Sequence, residues 1–165
     1  MIGGGIGMGG TKKKSKISDH SENWELGYKE PKLLEIYNDI LSLRINYKIS
    51  YIILSEIIIW MGLDKQCLEV ILAKRCYEMC GQCVYYKSDG GKDCYDIVIY
   101  KGYYTLGVLL HEFTHAINYE KYGEDLCNIR GLHGYHFKFW FSFIVKLIDR
   151  LIKERSDIKN LWIKI

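Results

Sequence analysis

The chain lacks the features that carry a protein out of the cell or into a bilayer. Its opening, MIGGGIGMGG, has no positively charged start followed by an apolar stretch, and no glycine follows Met1 for myristoylation, so neither export nor lipid anchoring is expected. No run reaches the roughly 20 apolar residues of a spanning helix. The greasiest, ISYIILSEIIIWMGL, carries Glu56 inside it and is expected to be core. A large excess of one charge is also missing: 23 basic against 20 acidic residues leave +3, and much of that sits in Lys12, Lys13, Lys14 and Lys16. Charge alone therefore nominates no nucleic-acid partner. Pro31 is the only proline, and neither an internal repeat nor a second-domain boundary is visible.

What is present describes a folded chain, because 48% apolar and 26% charged residues exclude bulk disorder. Residues 1–22, rich in Gly, Lys and Ser without apolar periodicity, read as a disordered arm, and residues 23–165 as a single domain of a size suited to one core. The expected location is cytoplasmic, with the nucleus or the interior of a virus-infected host cell as variants. Six cysteines, at 67, 76, 80, 83, 94 and 127, are expected to be free thiols in a chain without an export signal. Cys76, Cys80, Cys83 and Cys94 offer a second zinc site, although the second CxxC of a ribbon or knuckle is missing.

Periodicity sets the expected elements. Pro31 suits the first turn of a helix with the stripe Leu33, Ile36, Tyr37, Ile40 and Leu41. YKISYIIL, β-branched and aromatic, predicts a strand. Asp64 then caps a helix that turns Leu68, Ile71, Leu72 and Met79 inward, with Gly81 just past its end. CVYYK and CYDIVIYK flank SDGGKD and predict a hairpin. Thr105 caps a helix whose stripe is Leu106, Leu109, Leu110, Phe113 and Ile117, and a last helix runs from about Gly134 to Lys153. The sum is an α+β fold in which a small antiparallel sheet or hairpin packs on helices.

The chemistry concentrates in VLLHEFTHAINYE, residues 108–120. His111 and His115 lie one helical turn apart on one face, so both rings can reach one metal ion, and Glu112 between them is placed to act as base on a water at that ion. At about 100° per residue the trio falls opposite the apolar stripe, which predicts that it faces a cleft. A catalytic zinc takes a third protein ligand. Asn118 and Lys121 stand where a metzincin has glycine and histidine, and Glu120, Glu124 and Asp125 follow too closely to come from a separate helix, leaving His133 and His136.

LLHEFTHA followed by LHGYHF resembles the SprT-like zinc metallopeptidases, whose pattern is HExxH and then HGxxF or HGxxW. The likeness covers roughly residues 83–152, including the hairpin before the motif. It implies a zincin-like core with the HExxH helix and a C-terminal helix, Zn2+ held by His111, His115 and His133, Glu112 as the catalytic base, Phe137 as the family aromatic, and protein or peptide substrates. His136 then falls on a variable position. Members acting on proteins crosslinked to DNA carry a zinc ribbon after this core; none is visible here, so nucleic acid stands as an accessory partner to be tested. Tyr119, Arg130, Tyr135 and His136 are candidates to stabilise an oxyanion, and the strand at residues 97–100 is a candidate to add a substrate peptide as a further strand. Two rival readings are a zinc-stabilised binding module, its site closed by His136 or Cys127, and a helical structural protein with incidental histidines.

Overall fold

The computed structural model describes residues 31–63, 67–129 and 134–163. The arm expected over residues 1–22 lies outside them, as do Asp64, Arg130 and His133. Helix α1, Pro31–Leu41, buries Leu41 and rests Tyr37 and Ile40 on the core, but Ile36 is 66% exposed, so its apolar stripe is narrower than the spacing suggested.

The next segment departs from expectation. Tyr47–Met61 is a helix, α2, rather than a strand. Asn46 caps it by accepting a hydrogen bond from Ile49 N at 2.8 Å, and Gly62 closes it in the left-handed region at φ 63°. Between these stops Ile49, Ile53, Leu54 and Ile57 fall on one buried face, and that packing overrides the β preference of isoleucine. The helix expected after Asp64 is replaced by strand β1, Cys67–Ala73, and Gly81 is no helix cap but the first residue of β2.

The expected hairpin is formed by β2, Gly81–Lys87, and β3, Asp93–Tyr100, paired antiparallel with Cys83 opposite Ile97. Asp93 secures its turn end, accepting from Tyr85 Oη at 2.7 Å and Lys87 Nζ at 2.9 Å. These bonds, Tyr85's first, hold the Asp93 carboxyl below the usual carboxylate range, so its contribution is present above the unfolded pKa and is lost as the pH falls through the folded one. The sheet has a third member that the sequence reading missed: β1 pairs parallel with β3, giving the order β1-β3-β2. It is therefore mixed rather than purely antiparallel, and the α+β class holds.

Because β3 is central, its backbone groups are taken on both sides, and residues 97–100 are not open to a peptide. The outer edge of β1 is also occupied, since Val70 N donates to Tyr51 Oη at 2.8 Å and Leu72 N to Tyr47 Oη at 3.1 Å, both from α2. The outer edge of β2 has no strand partner among the described residues.

Over the sheet lies α3, Leu106–Ile129, interrupted at Gly123, where a φ of 77° favours glycine. Its predicted stripe of Leu106, Leu109, Leu110, Phe113 and Ile117 is buried. Helix α4, Tyr135–Glu154, begins after Gly134 and packs Phe137, Phe141, Ile144, Ile148 and Leu151 inward. A short α5, Ser156–Lys159, and a 3-10 turn, Asn160–Trp162, follow, with Arg155 tying them to α2 through Glu56 at 2.8 Å. Among the described residues no helix is long and apolar enough to cross a membrane.

Ile97, fully buried at the centre of the sheet, and Ile36, exposed on α1, give contrasting expectations. Ile97→Ala should lower unfolding free energy by about 2–5 kcal/mol, and Ile36→Ala should change it by less than about 0.5 kcal/mol, both read from urea denaturation midpoints.

Candidate metal centre

Thr105 starts α3 as predicted, its hydroxyl accepting a long bond from Val108 N at 3.4 Å. From that start the helical rotation brings His111, Glu112 and His115 to one side, a group whose ligand atoms all lie within 4.8 Å of one another and which can hold a metal ion. The two imidazole centroids are 5.1 Å apart, and His111 Nε2 is 4.0 Å from Glu112 Oε1.

The trio does not face an open cleft as the sequence reading had it. His111 is 1% exposed, Glu112 0% and His115 1%. The reason is α4: the Phe137 ring lies 4.9 Å from His111 and 4.6 Å from His115, with Phe141 at 6.3 Å from His111. Helix α3 is thus buried on its polar face as well as on its apolar one. From the sheet side Gly81 closes in: a Cβ there would stand 2.8 Å from Val98 O, 3.1 Å from Val108 Cγ1 and 3.2 Å from Glu112 Cγ. Only a residue without a side chain lets β2 pass so near Glu112.

Of the third-ligand candidates, His133 lies outside the described residues. His136 stacks on Tyr122, ring centroids 4.0 Å apart, and is not part of the group. Glu120 accepts a hydrogen bond from Tyr95 Oη at 2.8 Å and is likewise not a member. Cys76, Cys80, Cys83 and Cys94 do not gather into a second group, so the possible second zinc site has no support. Cys67, Cys76 and Cys94 are free thiols. Among the oxyanion candidates, Tyr135 is 75% exposed and Tyr119 stacks on Tyr85 at 4.0 Å, while Arg130 lies outside the described residues.

Two residues near the group carry no motif signal. Asn118, one turn beyond His115 on the same face, is buried, and its Oδ1 accepts no hydrogen bond among the described residues. Tyr100 ends β3 with its pKa raised, chiefly by burial and then by the charges of Cys76 and Glu112, which places its phenol within electrostatic reach of Glu112. Asn118 could have been found by extending the i, i+4, i+7 face of the motif; Tyr100 depends on the tertiary fold.

No protein-family model, no curated protein and no solved structure matches the chain. What the group can do is therefore a matter of its own chemistry: two neutral imidazoles are borderline donors suited to zinc, and a neighbouring carboxylate can accept a proton.

The Gly81 contact gives a direct expectation. Gly81→Ala should destabilise the fold by about 1–3 kcal/mol through overpacking, whereas Gly90→Ala should stay within about 0.5 kcal/mol, because the nearest atom to a Cβ there is Ser88 Oγ at 4.0 Å. Thermal and urea denaturation of the two variants check it.

Proposed function

We propose that the protein is a zinc-dependent endopeptidase of SprT-like type that hydrolyses peptide bonds, with His111, His115 and His133 holding the metal and Glu112 as general base. The observation that carries this reading is the burial of two imidazoles and a carboxylate on a single turn with their donor atoms within 4.8 Å. In favour of His133, Phe137 four residues further on rests against both imidazoles, so the beginning of α4 is tied to the pair. The reading takes the mixed sheet, α3 and α4 as a zincin-like core.

Zinc held there supplies a Lewis acid that acidifies water to a pKa of about 7 and polarises a carbonyl. The chain supplies the rest. Glu112 accepts the proton as water attacks the peptide carbon and passes it to the departing amine. Phe137 and Phe141 keep bulk water from the imidazoles and fix their orientation. The substrate is a protein or peptide in extended form, and its place is the open edge of β2, which begins at Gly81 beside Glu112, rather than the central strand. Action on DNA-associated proteins, inside the cell, belongs to the same proposal.

Of the two residues that would close a structural site, His136 is engaged with Tyr122, and the side chain of Cys127 lies outside those described. A closed site also has no use for a carboxylate at 112.

Zinc content and cleavage of an unstructured protein, with and without single-stranded DNA, test the proposal. Glu112→Ala should keep one zinc per chain and lose cleavage by at least about 100-fold, and His133→Ala should lose zinc. Full activity in Glu112→Ala would refute the base assignment. Loss of zinc in His136→Ala but not in His133→Ala would refute the third ligand.

A further inference from the structure

A concavity of about 410 Å³ lies at the start of α3 and is lined by Arg44, Asn46, Arg75, Lys101, Tyr104 and Thr105, with Ile45 and Gly102 completing it. Three cations contribute to its wall and no carboxylate does. They come from three separate places: Arg44 from the α1–α2 connection, Arg75 just past the end of β1, and Lys101 just past the end of β3. Among the described residues none of the three forms a salt bridge, while Lys87, Arg150, Lys153 and Arg155 each have a carboxylate within 4.0 Å.

The convergence is built into the backbone. Arg44 bridges to Thr105, with Ile45 N donating to Tyr104 O at 3.1 Å and Leu106 N to Leu43 O at 2.8 Å. Trp162 Nε1 donates to Arg44 O at 2.7 Å and holds the same stretch from the other side. The Arg75 guanidinium lies over Gly102, whose φ of 99° requires glycine and where a Cβ would meet Arg75 Nη2 at 3.6 Å. The Tyr104 hydroxyl is committed to Ala73 O at 2.6 Å, which fixes another wall. Parallel β1 and β3 both end here, and such strand ends are where open α/β sheets receive ligands.

Three positive groups with no acidic counterpart, two of them planar guanidinium forks, match the several oxygens of a phosphate better than a single carboxylate. The volume exceeds that of inorganic phosphate and admits an ester substituent. We propose that Arg44, Arg75 and Lys101 form a binding site for the phosphate group of a phosphate ester, separate from the His111–Glu112–His115 group. The site does not depend on the peptidase reading.

Binding to the full chain is measured calorimetrically and by NMR shift mapping in metal-free buffer, with inorganic phosphate, a nucleoside 5′-monophosphate and a short oligothymidylate as separate probes. Arg44→Gln, Arg75→Gln and Lys101→Gln are the variants, and Lys146→Gln, on the exposed face of α4, is the control. At least one probe should bind the wild type, with each pocket variant weakening it about tenfold and the control leaving it unchanged. Binding of the two small probes identifies a small phosphate ester. Binding of the oligonucleotide alone, with a log–log salt slope of about −2 for three contacts, identifies a phosphodiester chain. No binding by any probe, or equal weakening in Lys146→Gln, overturns the site. Melting curves confirm that the variants are folded.

Discussion

Two imidazoles and a carboxylate lie on one turn of a helical stretch, residues 106–118, that is buried all round, and the arrangement of everything near it depends on accommodating them. Charged or strongly polar groups taken out of water cost several kcal/mol unless the interior provides matching charge or hydrogen bonds. His111, Glu112 and His115, at 1% exposure or less, are groups of this kind. Their donors within 4.8 Å form the kind of set that a divalent cation compensates, which is why the metal reading outranks that of a helix with incidental histidines.

The rest of the fold serves that turn. β3 is held on both sides, which makes the sheet a rigid floor, and α2 closes the outer edge of β1 with two tyrosine hydroxyls. Among the described residues the outer edge of β2 is left without a strand partner, and its first residue is the glycine pressed against Glu112. On the opposite side Phe137 and Phe141 fix the imidazoles, while Trp140 donates to Tyr122 Oη at 2.9 Å and locks the first turns of α4 to α3. An unpaired strand edge beside a buried carboxylate is what the proposed reaction on extended backbone calls for, and the basic pocket at the start of α3 lies apart from both.

The local signals were legible where one rule governed. Pro31, Thr105 and Gly134 mark helix starts in the sequence and in the structure, and the Gly-bearing SDGGKD joins its two strands as expected. The failures came where two rules competed. Residues 47–61 are rich in isoleucine and tyrosine, which favour strands, yet in the structure Asn46 and Gly62 cap a helix there and the tertiary core decides for it. Leu68, Ile71 and Leu72 fit a helical period, but a short apolar run fits either period, and pairing with β3 makes residues 67–73 a strand. The trio's relation to one another followed from helical rotation alone. Its burial did not, because the covering residues arrive on α4, more than twenty positions later. The parallel pairing, the central place of β3 and the basic pocket are likewise long-range facts that no local window contains.

The most direct test of the central claim is zinc-edge anomalous diffraction from crystals of the zinc-loaded protein. The account predicts one strong peak about 2.0–2.1 Å from a ring nitrogen of both His111 and His115, with the ring of His133 as the third neighbour and Glu112 outside the coordination shell. A peak elsewhere, or none beside those two rings, would contradict it.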